Sequence, residues 1–365
     1  MSTYILEDLL PWMINHRRNL HKIPEVCHKE FKTSAYLQGI LKELGLPFKT
    51  VKTGIVVKID GTAPPPRKTL GFRADIDGLN ITENTGLEYV STHPGFMHAC
   101  GHDGHMSILL GFAKYLTQNP PKHNVVLVFQ PAEEGDAGAL TMIESGLCDA
   151  DVFYALHIDP GEPTGTVTAC AGPAMAGAEI LRITFNGVGR HAQFHNGKQD
   201  AILAAAKFLN DIEVLNTADV LFHTGVIKGG EVFNAVAEEA FLDTTLRFYS
   251  MQAYNTAIKK IEEVIDDIKK QDIGVGRYEK CAVLYIPVIN TASEVEKLKN
   301  LPGFIESKRL WVAEDFAFFA DKYSGFIAWL GAKTDGESLH SSKFTFDENA
   351  LLKGVKVFIH LLQHE

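Results

Sequence analysis

Cysteine is scarce in this chain: five in 365 residues, at positions 27, 100, 148, 170 and 281. The number is odd and the spacing irregular, which excludes the disulfide framework of a small secreted domain. Long apolar runs are missing too; none reaches the roughly 18 residues of a membrane-crossing helix. The amino-terminal stretch carries Glu7 and Asp8 before any basic residue, then Pro11, unlike a secretory signal. Positive charge is thin, with 35 Lys and Arg against 45 Asp and Glu, a formal net charge of −10. Together with a pI near 5.8 and no basic cluster, this argues against a nucleic-acid surface. Repeats and low-complexity tracts are absent. A soluble protein of the reducing cytoplasm is the expectation, and its length predicts two domains.

What is present is concentrated in Met97-His98-Ala99-Cys100-Gly101-His102-Asp103-Gly104-His105. Nine residues hold three histidines, a cysteine and an aspartate, with glycines where the backbone must turn sharply or be closely approached. Imidazole and thiolate suit zinc and its transition-metal neighbours, not magnesium or calcium. The cluster is too short to hold a metal alone and must recruit ligands from elsewhere. Two other readings stand beside this one. Cys100 and His102 could form a thiolate–imidazole nucleophile pair, and any one of these side chains alone could be a packing residue.

Taken in order, the chain reads as α/β. Ile5, Leu6, Leu9, Met13 and Leu20 recur at helical spacing over residues 4–22, with Pro11 marking a break or a new helical start. A second helix is expected over 30–44 and strands over 53–59 and 69–72. A helix follows over 106–116, then the buried strand 125–129, a helix at 138–146 and a strand at 152–156. Each strand empties into polar groups: Asp75 and Asp77, then Glu133 and Glu134, then His157. A short strand at 326–330 precedes a loop holding His340. In open α/β sheets the carboxyl edge of the strands is where ligand sites form. Over 177–286 the texture changes to alternating strands (179–185, 221–226, 240–248) and two helices (200–215, 251–270), an inserted α+β domain. Residues 1–176 and 287–365 are then the mainly parallel α/β catalytic domain.

A double carboxylate after a strand offers two roles: one group holds a metal, the other accepts a proton from the attacking water. Cys100, His102, Glu134, His157 and His340 suffice for two ions sharing a bridging ligand, about 3.5–4 Å apart in hydrolases.

These residues resemble the M20 metallopeptidase and amidohydrolase family, in its aminoacylase-like branch of N-acyl-amino-acid deacetylases, hippurate hydrolases and auxin-conjugate hydrolases. The resemblance runs end to end, through Arg17–Glu25, Arg73-Ala74-Asp75-Ile76-Asp77, His98–His105, Gln130–Gly135 and His157. It continues in Gly189-Arg190-His191-Ala192, Gly229-Gly230 with Asn234, Arg247, Glu314-Asp315-Phe316 and Leu339-His340-Ser341. It implies two divalent ions per chain (zinc, manganese, cobalt or nickel) on those five ligands. Glu133 is then general base and acid, and Asp77 belongs to the catalytic set. It also implies that the inserted domain forms a lid and a homodimer contact and supplies His191 to the substrate oxyanion. Asn234 and Arg247 hold the substrate's carboxylate side, a role that suits the planar guanidinium fork.

The expected reaction is hydrolysis of a small N-acyl, in the first instance N-acetyl, amino acid. The tail Gly325–Gly331 is most similar to that of bacterial N-acetyl-diaminopimelate deacetylases. A dipeptidase on the same scaffold, a catalytically silent metal-dependent binding protein and a Cys100 amidase are the competing readings. Gly78-Leu79-Asn80, Arg190 and Gln193-Phe194-His195 depart from the family pattern near the expected substrate pocket and bear on substrate identity.

Overall fold

An unbroken apolar run such as Val125–Phe129 needs cover on both faces of its sheet. In the computed structural model, which describes residues 6–364, helices provide it. Ile5, the first apolar position of the expected opening helix, lies outside the described residues. The chain divides into two units. The first runs to Ala174 and resumes over Val288–Lys308 and from Asp315 onward; the second is Met175–Pro287 with Arg309–Glu314.

The first unit begins with α1 (Leu9–His21), which accommodates Pro11 in its first turn, where a missing N–H costs nothing. Then come α2 (Phe31–Glu43), β1 (Phe48–Val51), β2 (Gly54–Ile59), β3 (Thr69–Asp75), α3 (His102–Gln118), β4 (Asn124–Gln130), α4 (Gly138–Glu144), β5 (Val152–Asp159), β6 (Val167–Ala169) and β7 (Gly172–Met175). The second unit contributes β8 (Gly177–Asn186), α5 (Ala201–Ile212), β9 (Val220–Gly229), β10 (Glu239–Phe248), α6 (Met251–Lys270) and β11 (Val275–Lys280). The return holds β12 (Val288–Asn290), α7 (Ala292–Glu296), β13 (Phe304–Glu306), α8 (Phe316–Tyr323), β14 (Gly325–Gly331) and α9 (Ala350–Gln363).

The main sheet has the order β1-β2-β4-β3-β5-β14-β6-β13. Its centre is parallel: β3 pairs with both β4 and β5, and β5 with β14. The β1–β2 hairpin adds an antiparallel edge. Parallel pairing points the ends of β3, β4, β5 and β14 the same way, so residues that follow them gather at one edge. On one face α3 is buried almost all round, from His102 to Ala113. Gly104 permits its first turn to approach β5, since a Cβ there would clash with Ile158 Cδ1.

The second unit is an antiparallel sheet, β11-β8-β10-β9. β10 alternates buried and half-buried residues along its length, as a strand with one covered face should. α5 and α6 provide the cover, packing Phe208, Ile261 and Ile268 with Leu181, Ile183 and Leu242. Residues Arg309–Glu314, expected from the sequence to belong with 287–365, group with this unit instead. Ala176 N–H donates to the carbonyls of Leu310 and Val312, and Arg309 pairs with Asp219 at 2.8 Å.

Candidate metal centre

The end of β3 is charged yet buried, and a network explains why. Arg73 donates to Gln130 Oε1 (2.8 Å), Asp75 Oδ2 (2.7 Å) and Asp315 Oδ1 (2.9 Å). Gln130 Nε2 and the Ala139 N–H complete Asp315. This ties β3, β4, the start of α4 and the segment before α8 together. Removing the cation would take the guanidinium counter-charge from two buried carboxylates, Asp75 and Asp315. Arg73→Met is therefore expected to cost about 3–5 kcal/mol, measured by urea unfolding of the metal-free proteins.

Above this network the ligand-type residues converge. Gly101, at φ 87°, turns the chain so that His102 opens α3, a conformation that favours glycine. Mutual hydrogen bonds between Leu79 and Met97 pin the cysteine loop against the segment after β3. His340 is brought in by its own N–H, which donates to the Ala99 carbonyl at 2.8 Å. Cys100 Sγ then lies 3.4 Å from His157 Nε2 and 3.3 Å from His340 Nε2. Glu134 Oε1 is 3.3 Å from His340 Nε2 and 3.8 Å from His102 Nε2, and Glu133 Oε2 is 4.0 Å from His102 Nε2. Six of the seven residues that the sequence singled out in the first unit, the five candidate ligands and Glu133, lie together. Asp77 lies beside them.

The ring tautomers suit metal binding. His157 Nδ1–H donates to the Ile158 carbonyl at 2.8 Å, leaving Nε2 as a lone pair toward Cys100. His102 Nδ1–H donates to the Asp77 carbonyl at 3.0 Å, with Asp77 Oδ1 at 3.3 Å, so its Nε2 also faces the site. Such outer partners orient metal ligands and raise their basicity. His105, within ligand range of Asp75 and His102, is spent otherwise. Its Nδ1–H donates to Asp75 at 2.6 Å and its Nε2 accepts the Ile158 N–H. His98 is turned into the protein and has no place in the donor group; burial pushes it down to about 4.

His102 Nε2 and Glu134 Oε1 are buried without a hydrogen-bond partner. Unpaired buried polar atoms are costly, and here they point at the same donors as Cys100, His157 and His340. Charge tells the same story. Burial opposes ionisation of His102, but Asp75, Asp77 and Glu134 outweigh it and push the imidazole up to about 10. Burial, together with Glu134, Glu133 and Asp75, pushes the Cys100 thiol well above its ordinary range. Burial and the His105 ring hold His157 well below its own. A carboxylate surplus around soft donors fits divalent transition-metal ions. It also opposes the Cys100 nucleophile, which needs a depressed thiol pKa.

Asp77 falls in none of the possible ligand groups among the described residues. Its Oδ2 accepts the Glu134 N–H at 3.0 Å and the Cys27 thiol at 3.4 Å. His191, Asn234 and Arg247 belong to the second unit. His191 is exposed on the stretch after β8, and its Nδ1 accepts the Gln193 N–H at 3.2 Å. That bond places the ring proton on Nε2, free to donate. The Asn234 carbonyl accepts the Ala192 N–H at 2.8 Å, which fixes the backbone of one candidate against the other. Half-buried Arg247 donates to the Thr245 hydroxyl and has no carboxylate partner among the described residues.

Sequence reasoning missed Arg73's partners Gln130 and Asp315 as parts of the site's frame. Only their shared motifs with the family pattern hinted at them.

Comparison with known proteins supplies the family. The family model "Peptidase family M20/M25/M40" matches residues 71–364. The N-acetyldiaminopimelate deacetylase of Bacillus velezensis is 38% identical, over 95% of this chain and 96% of its own. The enzyme of that name from Bacillus subtilis is 37% identical, over 94% and 96%. Among solved structures, a dinuclear metal binding peptidase of the M20 family from Bacillus subtilis superposes with a TM-score of 0.86 at 28% identity, over 98% of both chains. Matched by the family model over residues 71–364 and by relatives that cover nearly the whole chain, the chain belongs to peptidase family M20/M25/M40.

Proposed function

We propose that this protein is a metal-dependent amidohydrolase that removes the acetyl group from an N-acetyl amino acid, N-acetyldiaminopimelate being the leading substrate. The observation that carries the reading is the division between adjacent carboxylates. Glu134 turns Oε1 to the His102, His340 and Cys100 donors, while Glu133 stands at the rim of the same group. A site that only bound metal would have no use for the second carboxylate. The relatives named N-acetyldiaminopimelate deacetylase, which match nearly the whole chain, support the same substrate class.

Cys100, His102, Glu134, His157 and His340 would hold two divalent ions, zinc, manganese, cobalt or nickel. When bound, such ions polarise the amide carbonyl and acidify water. Glu133 takes the proton of the attacking water and returns it to the leaving amine. His191 Nε2–H donates to the carbonyl oxygen as negative charge builds there. Asn234 and Arg247 hold the substrate carboxylate, and Asp77 orients His102 and Glu134.

A homodimer through the second unit is part of this reading. β9 is a ten-residue edge strand, largely exposed from Thr224 onward. Exposed Ile202, Val226, Ile227, Val232 and Phe233 lie on or near it in sequence or packing. A long apolar edge of this kind calls for a partner, and a second copy offers the same edge. A cytoplasmic location also belongs to the proposal; all five cysteines are free, and no helix among the described residues is long and apolar enough to cross a membrane.

The test is turnover of a panel of N-acyl amino acids and dipeptides by metal-reconstituted protein. Hydrolysis of N-acetyl amino acids is expected to be abolished by chelation and restored by added metal. Full activity in protein shown by elemental analysis to be metal-free would overturn the reading.

A further inference from the structure

Glu30 occupies the residue before α2, where an acidic side chain ordinarily caps the helix. It does not do so. Glu25 caps the helix in its place, since its Oε2 accepts the N–H groups of Lys32 and Thr33 at 2.8 and 3.0 Å. Glu30 instead reaches across, fully buried. Oε2 accepts the Thr53 hydroxyl at 2.7 Å, and Oε1 accepts the N–H groups of both His28 and Ala132 at 2.9 Å.

Ala132 immediately precedes Glu133 and Glu134, and its φ is 56°. That left-handed conformation is uncommon for a residue with a Cβ and persists only where the surroundings impose it. The turn holding Glu30 touches the same loop elsewhere. His28 Nε2 lies 3.0 Å from Asp136 Oδ2, and a Cβ on Gly135 would meet Cys27 Sγ at 3.3 Å. No basic side chain makes a salt bridge to Glu30 among the described residues, so its buried carboxylate is held by neutral hydrogen-bond donors. Burying an acidic group this way is costly, and stability alone would be served better by an apolar residue.

We propose that Glu30 is the positioning residue of the paired-glutamate loop, fixing the strained Ala132 backbone so that Glu133 and Glu134 face the metal site. This rests on the amidohydrolase reading only for its kinetic consequence; the geometric consequence stands without it. What matters is an acceptor of the right reach, not the charge. Glu30→Gln keeps an oxygen at the Oε1 position, whereas Glu30→Asp keeps the charge but falls short by one methylene.

The experiment loads metal-free wild type, Glu30→Gln and Glu30→Asp with Co²⁺. It then records the visible spectrum, kcat and KM on an N-acetyl amino acid, and thermal stability. Glu30→Gln is expected to reproduce the wild-type cobalt spectrum and turnover. Glu30→Asp should change the ligand-field bands and lower kcat per cobalt-loaded site about tenfold or more, with KM little altered, because small misplacements of catalytic groups are expensive. Should Glu30→Asp not fold, Glu30→Met, which keeps the length of the side chain but offers the Ala132 N–H no oxygen, replaces it with the same expected signature.

A merely structural role would lower the melting temperature and leave the spectrum and kcat per loaded site unchanged; that result overturns the proposal. So does a Glu30→Gln variant as impaired as Glu30→Asp. A wild type inert toward every substrate whose cobalt spectrum is still altered by Glu30→Asp would uphold the positioning role and sink the amidohydrolase reading instead.

Discussion

Glu133→Gln is expected to bind metal as the wild type does and to lose about 10²–10⁴-fold in turnover, the usual contribution of a positioned proton-transfer group. The substitution keeps the size and hydrogen-bonding capacity of the side chain and removes only its basicity. Because Glu133 Oε2 lies 4.0 Å from His102 Nε2 and glutamine keeps the shape of the side chain, the ligand set survives the change. Glu134→Ala should behave in the opposite order. Its Oε1 sits among the His340, His102 and Cys100 donors, so the affinity for metal falls and activity is lost through it. Metal content by elemental analysis, set beside kcat for both variants, decides the matter. Equal metal loss in the two would abolish the division of labour between neighbours.

His191→Ala is the second large effect, with an expected loss of roughly 10²–10³-fold in turnover at unchanged metal content. A donor preplaced for the developing oxyanion contributes about 2.7–4 kcal/mol to the barrier. The Gln193 N–H, by occupying Nδ1, leaves Nε2–H as the available donor, so the ring needs no proton rearrangement. If the donor is supplied to the partner's site, mixing inactive His191→Ala with inactive Glu133→Gln should regenerate part of the activity. One mixed site then holds both an intact base and an intact donor. Mixed dimers that form and remain dead would place both residues within one chain's site. Near-normal turnover by His191→Ala alone would remove His191 from the mechanism.

The parallel sheet and its polar edge were legible because hydrophobic continuity is a local property: Val125–Phe129 marks its own strand. Charge satisfied at long range is not local, and there the pattern misleads. Apolarity ends at Phe72, yet β3 continues through Asp75, since Arg73 finds Asp315 242 positions away. For the same reason His157 lies inside β5 rather than beyond it, beside Trp329 on β14. The start of α3 comes four residues earlier than apolar periodicity indicates, because Gly101 supplies the turn. Glu30 gives no signal at all. A glutamate at the start of the helix expected over 30–44 reads as an ordinary solvated residue, and only the tertiary structure shows Glu25 capping the helix and Glu30 buried.

The placement of β14 has a consequence for biosynthesis. It lies between β5 and β6 in the main sheet, parallel to one and antiparallel to the other, yet it is translated only after the whole second unit. A nascent chain that has just completed that unit therefore carries β5 and β6 with facing, unpaired edges, a template for association with other chains. The same late segment brings His340, 240 residues after Cys100. Metal loading with the full ligand set must then wait until the end of synthesis, and a ribosome-stalled or carboxyl-truncated product is a natural client for chaperones and proteases.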